Sequence, residues 1–202
     1  MRWPILAFVL LYGAAIGTAG QPPPSSPLQP FQPDDHTLAL YHFDEGQGTV
    51  AKDTSRHALH GEVRGAKRTD GRFGKALAFN GRSDCVVRQA SEAMAGLKQI
   101  TVECWFRQDN PDSRQFLVSR DGTFHFDLTN GGATSMSLYH ASPTPNADGL
   151  RHQHLGTSVG AARPGRWHHD AVTYDGQRLS FFFDGVLLAR LPAAKDFSLG
   201  GL

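Results

Sequence analysis

The chain has 202 residues, 40% hydrophobic and 19% charged, which is enough apolar material for one domain with a real core and excludes wholesale disorder. Lys+Arg at 20 against Asp+Glu at 19 leaves a formal net charge of +1, so no basic field marks nucleic acid as a partner. Two cysteines exclude a disulfide-dense miniprotein and a four-cysteine zinc site, while 22 glycines point to many turns and so to β structure.

The N-terminus reads as an export segment. Arg2 supplies a positive start, Ile5 to Ile16 is mostly apolar, and the small residues Gly17, Thr18, Ala19 and Gly20 suit a signal peptidase. Residues 1–20 are therefore expected to be a signal peptide and the remainder to be secreted. The apolar run is short for a membrane span, so no span is expected after cleavage; an uncleaved N-terminal anchor is the alternative. Residues 21–33 read QPPPSSPLQPFQP, with Pro22, Pro23, Pro24, Pro27, Pro30 and Pro33 among the 12 prolines of the chain. Such a stretch is an extended, semi-rigid linker. The folded domain is expected over residues 34–202.

From Thr37 onward short apolar runs are punctuated by Gly, Asp and Asn. Leu38 and Leu40 begin a strand-like alternation, Lys75 to Asn80 is a second run, and Cys85-Val86-Val87 a third. Only Ser91 to Leu97 looks helical. Further strands are expected over Ile100 to Phe106, Gln115 to Ser119, Phe124 to Leu128 and Ser135 to Tyr139. Ser142 to Gly156, rich in Pro, Asn, Asp and Gly, reads as a loop. The clearest unit is Trp167 to Tyr174, the turn Asp175-Gly176, Arg178 to Phe183, the turn Asp184-Gly185, and Val186 to Leu191. Asp-Gly readily takes the positive φ that tight hairpin turns require. Leu179, Phe181 and Phe183 share one face of the middle strand and Phe182 lies on the other, so both faces carry apolar character, as in a sandwich. The fold class expected is all-β, a two-sheet antiparallel sandwich.

Four segments in order carry a family resemblance. Tyr41-His42-Phe43-Asp44-Glu45-Gly46 with Asp53-Thr54-Ser55 comes first. Gly71-Arg72-Phe73-Gly74-Lys75-Ala76-Leu77 with Phe79-Asn80-Gly81 follows. Ile100-Thr101-Val102-Glu103-Cys104-Trp105 is third, and Trp167-His168-His169 with Tyr174-Asp175-Gly176 and Asp184-Gly185 closes the set. Over residues 38–202 the chain resembles the laminin-G-like jelly rolls of the concanavalin A-like lectin/glucanase superfamily. The resemblance implies a jelly-roll sandwich. It also has departures. Asp170 stands where the family has an apolar strand residue, Cys85 where Tyr often follows Asp84, and His57 where the turn usually has Asn. The family pattern also continues past Gly200-Gly201 with a strand like I–D–E–V–R–I–Y, absent here. The chain is thus expected to lack its final strand, as a fragment or with that strand supplied from elsewhere.

Chemistry is sparse. Glycoside hydrolysis needs two carboxylates facing one cleft. Glu45, Glu62, Glu92 and Glu103 are the glutamates, and none sits in an i, i+2, i+4 acidic pattern. Glu103 shares a face with Trp105, but Arg107 follows. The serines lack a G–x–S–x–G setting, and His168 and Asp170 share a face as ordinary strand residues. His152 and His154 have a spacing that suits zinc on a strand, but no third ligand is evident. Calcium is the more reasonable metal, because it takes carboxylate and carbonyl oxygens on a rim loop. The resemblance implies that Asp53, with Glu45, holds a structural calcium; a plain Asx-turn at Asp53 is the alternative.

Trp105 and Trp167 lie in strand patterns and are expected to pack in the core. The ligand rim is expected in the loop His140 to His154, with His140, Asn146, Asp148, His152 and His154 as candidate contacts. In an exported chain Cys85 and Cys104 suggest a disulfide closing a loop of about 20 residues, worth about 3 kcal/mol. Two buried thiols on neighbouring strands are the alternative. The function expected is a secreted, non-catalytic module recognising a glycan or an extracellular protein at the cell surface. A structural or adhesive domain without a small ligand, and a glycoside hydrolase, are the alternatives.

Overall fold

The structure is a computed structural model and describes residues 5–12, 29–89, 91–94, 97–112, 114–120, 124–140, 151–158 and 160–193. The strands are β1 (Ile5–Tyr12), β2 (Thr37–Tyr41), β3 (Val50–Ala51), β4 (Gly61–Arg64), β5 (Lys67–Asp70), β6 (Lys75–Ala78), β7 (Cys85–Val87), β8 (Ile100–Arg107), β9 (Gln115–Arg120), β10 (Phe124–Thr129), β11 (Ala133–His140), β12 (Arg151–Gly156), β13 (Trp167–Tyr174), β14 (Arg178–Phe183) and β15 (Val186–Pro192). A 3-10 turn, Glu92–Met94, falls inside the stretch expected to be helical.

Every strand pairing among the described residues is antiparallel. The large sheet runs β15-β14-β13-β8-β1-β6-β5, with β2 also paired to β1. Two smaller sheets, β12-β11-β10-β9 and β3-β4-β7, are the others among the described residues. One core joins them. The large sheet contributes Leu77, Val102, Phe106, Val172, Leu179 and Phe181; the four-stranded sheet Phe124, Phe126, Leu128, Met136 and Leu155; the three-stranded sheet Val63 and Ala51. Phe126 and Phe181 meet edge-to-face across the layers, with centroids 6.3 Å apart. Burial of each such ring is worth about 2–3 kcal/mol. The result is an all-β, two-layer jelly-roll sandwich.

Period-2 alternation explains which residues face the core. On β8, Val102, Cys104 and Phe106 point inward, while Glu103, Trp105 and Arg107 fall on the outward face. On β13, His168, Asp170, Val172 and Tyr174 are buried towards the core, and Trp167 and His169 lie outward. Asp184 and Gly185 both have positive φ, 48° and 79°, as a two-residue hairpin turn with the twist of its strands demands.

Three departures from expectation stand out. Residues 151–156, expected as loop, form β12, which pairs with β11 from Ser135↔Gly156 to His140↔Arg151. The turn-forming residues that suggested a loop lie mainly before Arg151 in the sequence, and the backbone pairing of β11 is what orders the rest. β5, Lys-Arg-Thr-Asp, has no apolar pattern and exists because β6 supplies its ladder. Ile5–Tyr12, the centre of the apolar N-terminal run, is a strand of the large sheet in this structure.

Candidate ligand-binding face

The outward face of the large sheet gathers the aromatic and planar polar side chains. Trp167 and Arg107 are directly opposed across β13 and β8, and the Arg107 guanidinium sits 5.6 Å from the Trp167 ring. His169 and Trp105 are the next opposed outward pair, with centroids 4.9 Å apart. Diagonal to them, His169 Nε2 lies 3.1 Å from Glu103 Oε2, an ion-pair distance with the hydrogen-bond direction not met. Arg107 Nε stands 3.3 Å from Asp109 Oδ1. Beneath this layer Leu40 and Ala76 are buried, with Phe31, Trp105 and Trp167 packed over them. Both tryptophans are thus half-buried and pack on this second apolar cluster, on the side of the sheet opposite the main core. Alternation told correctly which residues share a face; it did not tell which face is inside, because both carry apolar residues.

A turn brings two further residues to this face. Gly71 to Gly74 links β5 to β6, closed by Gly71 N–H donating to the Gly74 carbonyl at 2.7 Å. Gly74 has φ 131°, and a Cβ there would stand 2.5 Å from Asp44 Oδ1. Asp44 needs that space to accept the Lys75 N–H at 2.6 Å. The glycines therefore fix the tip, and the tip carries Arg72 and Phe73. Phe73 meets Trp105 edge-on at 5.6 Å, and the Arg72 guanidinium lies 4.1 Å over the Trp105 ring. Such a cation over an indole is worth about 0.5–1 kcal/mol when exposed. Phe31, from the Pro-rich stretch, approaches His169 at 6.2 Å.

Behind the sheet lies a buried polar row. His168, Asp170 and Cys104 all face the core, and neither Asp170 oxygen has a hydrogen-bond partner. Burial pushes the Asp170 carboxyl well above the usual carboxylate range, nearby Thr134 pulls the other way, and Asp184 adds to the rise. Burial likewise pushes the Cys104 thiol well up, with Asp170 and Glu103 adding to the effect. The sequence marks Asp170 as unusual at its strand position; its full burial is a property of the tertiary structure.

The proposed calcium ligands are engaged elsewhere. Asp53 Oδ1 accepts N–H bonds from Leu40 and Ser55, both at 2.8 Å, and Oδ2 accepts from the Leu59 N–H at 2.8 Å and the Ser55 hydroxyl at 2.7 Å. Burial works to raise its pKa, but the Leu40 and Ser55 bonds and the Leu59 N–H outweigh it and hold the carboxyl below its ordinary value. Glu45 accepts the Lys52 N–H at 2.6 Å on one oxygen and pairs with Arg68 through the other. Arg68 also donates to the Val50 carbonyl at 2.9 Å. Four neutral donors on the Asp53 carboxylate and the Arg68 guanidinium on Glu45 engage the oxygens that a cation would take in this arrangement. Among the described residues no group of three or more His, Cys, Asp or Glu side chains could hold a metal ion.

The remaining candidates are dispersed. Asn146 and Asp148 lie outside the described residues. His140 ends β11 opposite Arg151, while His152 and His154 stand on β12 opposite Tyr139 and Ser137. Cys85 and Cys104 are both free in this structure, the arrangement expected as the alternative to a disulfide: Cys85 is half-buried in the three-stranded sheet, whereas Cys104 is fully buried in the large sheet.

Among the described residues no helix is long and apolar enough to cross a membrane. No curated protein and no solved structure matches the chain significantly. A laminin G family model, described as the concanavalin A-like lectin/glucanases superfamily, matches residues 80–200, which include β8, the Trp167–Tyr174 strand and both Asp-Gly hairpins. The model match and the all-β sandwich agree, and the chain belongs to the concanavalin A-like lectin/glucanases superfamily.

Proposed function

We propose that this domain is an exported, non-catalytic recognition module that binds a glycan on the outward face of its large sheet. The observation that carries this reading is the grouping of Trp105, Trp167 and Phe73 with Arg72, Arg107, Glu103 and His169. Half-buried indoles offer flat apolar surface to a sugar ring, and guanidinium and carboxylate groups offer planar hydrogen bonding to neighbouring hydroxyls. Export is supported by the arrangement of Arg2, the apolar run and the small residues up to Gly20. Lack of catalysis is supported by Arg107, which occupies the strand position where a second acid would face Glu103.

A glycan array followed by calorimetry tests this. Trp105→Ala and Arg72→Ala are each expected to weaken binding by about tenfold, or 1.4 kcal/mol, with melting temperature changed little for Arg72→Ala. A ligand lost instead on His152→Ala or His154→Ala would move the site to β12. Release of reducing sugar ends would overturn the non-catalytic reading.

One observation favours a second reading, a structural or adhesive domain. β15 ends the large sheet, and its Val186, Leu187, Leu188 and Leu191 are exposed. An apolar sheet edge is suited to a protein neighbour. Self-association that Leu188→Lys abolishes, with no glycan bound, would favour it.

A further inference from the structure

The interior of the large sheet contains a strand held from both sides by segments remote in sequence. One edge of β1 pairs with β8, from Ile5↔Arg107 to Tyr12↔Thr101. The other pairs with β6 through Ile5↔Ala78 and Leu6↔Leu77, then with β2 from Val9↔Tyr41 to Tyr12↔Thr37. Both backbone edges of β1 are thus used, and β8, β2 and β6 each give it one of theirs.

Apolar residues lie on both sides of the sheet here. Val102, Cys104 and Leu77 belong to the main core, and Leu40 and Ala76 to the outward cluster. A place in a sheet flanked by apolar neighbours on both sides suits a continuous apolar run rather than alternation. Ile-Leu-Ala-Phe-Val-Leu-Leu-Tyr is such a run, with no charged residue. The same composition makes it suitable as the apolar centre of an export segment, and one segment cannot serve both uses at once.

We propose that the gap between β8 and the β2–β6 side is a strand-binding site. Its ligand is an extended, uncharged apolar peptide of the length of Ile5–Tyr12, antiparallel to Ile100–Arg107, and Ile5–Tyr12 is its exchangeable occupant. Main-chain hydrogen bonds along both edges supply affinity, and the two apolar faces exclude charged sequences. The site shares Leu40 and Ala76 with the floor of the proposed glycan-binding face, but its test reads the register at Cys104 and not sugar binding, so the two readings fail separately.

The register provides the test. Val9 is the directly opposed partner of Cys104, and opposed residues of an antiparallel pair have Cα atoms about 4.5–5.5 Å apart, inside the Cα range of disulfides. In the full chain carrying Val9→Cys and Cys85→Ser, mild oxidation is expected to consume both thiols in an intramolecular bridge. A free Cys104 in a variant with unchanged circular dichroism overturns the proposal. If that variant does not fold, hydrogen exchange on the unsubstituted chain decides: slow exchange across Ile5–Tyr12 supports the site, fast exchange there overturns it. Exchangeability is read by placing a protease site within residues 21–33 of the full chain with Cys85→Ser, cutting the folded protein, and adding a tenfold excess of lysine-flanked Ile5–Tyr12 peptide bearing Val9→Cys. The peptide is expected to displace the resident segment and bridge to Cys104, read as a mass shift. No uptake under these conditions shows that the occupant does not exchange, against the proposal.

Discussion

His168 Nδ1 stands 2.8 Å from Asp184 Oδ2, joining β13 to the turn that ends β14. His168 Nε2 accepts the Arg163 N–H at 3.0 Å, so the imidazole proton resides on Nδ1 and is donated to Asp184. Asp184 Oδ1 also accepts the His169 N–H at 2.8 Å, and its own N–H donates to the His169 carbonyl at 2.7 Å. One turn aspartate therefore holds two consecutive residues, one facing the core and one on the outward aromatic face. Asp184→Ala removes both carboxylate bonds and leaves a plain Cβ at φ 48°. It is expected to destabilise by about 2–3 kcal/mol in thermal melts, and Asp184→Asn by less than half as much. Equal losses for the two variants would contradict this account.

Asp53 predicts an acid-side dependence of stability. Its folded pKa is depressed, so its contribution is present above its unfolded value and is lost as pH falls through the folded value. Asp53→Ala is expected to cost about 2–4 kcal/mol at pH 7, with a smaller cost at pH 2. Chemical denaturation at the two pH values reads the difference. Excess calcium is expected to leave the melting temperature unchanged. A rise that Asp53→Asn abolishes would show that the N–H donors yield to a cation.

Asp170 predicts the opposite sign. Its folded pKa is raised, so the folded state holds a proton that the unfolded chain releases above the ordinary carboxylate pKa. Stability therefore declines as pH rises from about 4 towards the folded value. Asp170→Asn, neutral at every pH, is expected to melt higher than the parent at pH 8, with the gap closing below about pH 4. A parent that is the more stable of the two at pH 8 would mean that the buried charge has a partner.

The cysteines predict a reactivity order. Cys85 is half-buried, and Cys104 is fully buried with its thiol pKa pushed up by burial. Thiol titration without reductant is expected to give one fast-reacting group in the native protein and two after denaturation. Fewer than two after denaturation would indicate oxidation.

The hairpins were legible because Asp175-Gly176 and Asp184-Gly185 are local signals: the turn geometry is written in the residues that adopt it. β8 and β13 were legible from alternation, down to Glu103 and Trp105 sharing a face. What alternation lacks is an absolute direction. In a sheet with apolar clusters on both faces, Val102 and Trp105 are equivalent as patterns, and only the position of the second layer makes Val102 core and Trp105 surface. β12 and β5 were missed for a related reason. Their ladders come from β11 and β6, not from their own residues. The surroundings of Asp53 were hidden for the same reason: a carboxylate on a turn can bind a cation or cap N–H groups, and the donors that engage Asp53 come from Leu40, Ser55 and Leu59, up to 13 residues away.

By itself the sequence determined the β class, the order of most strands, the turns and the family, because these depend on residue type and short-range spacing. Tertiary structure decided what no spacing encodes. It placed Arg72 and Phe73 against Trp105, left Cys85 and Cys104 in different sheets, buried Asp170 without a partner and set Ile5–Tyr12 between β8 and β2. Each of these depends on which remote backbone supplies a neighbour, and in an antiparallel sandwich that is settled only when the layers close.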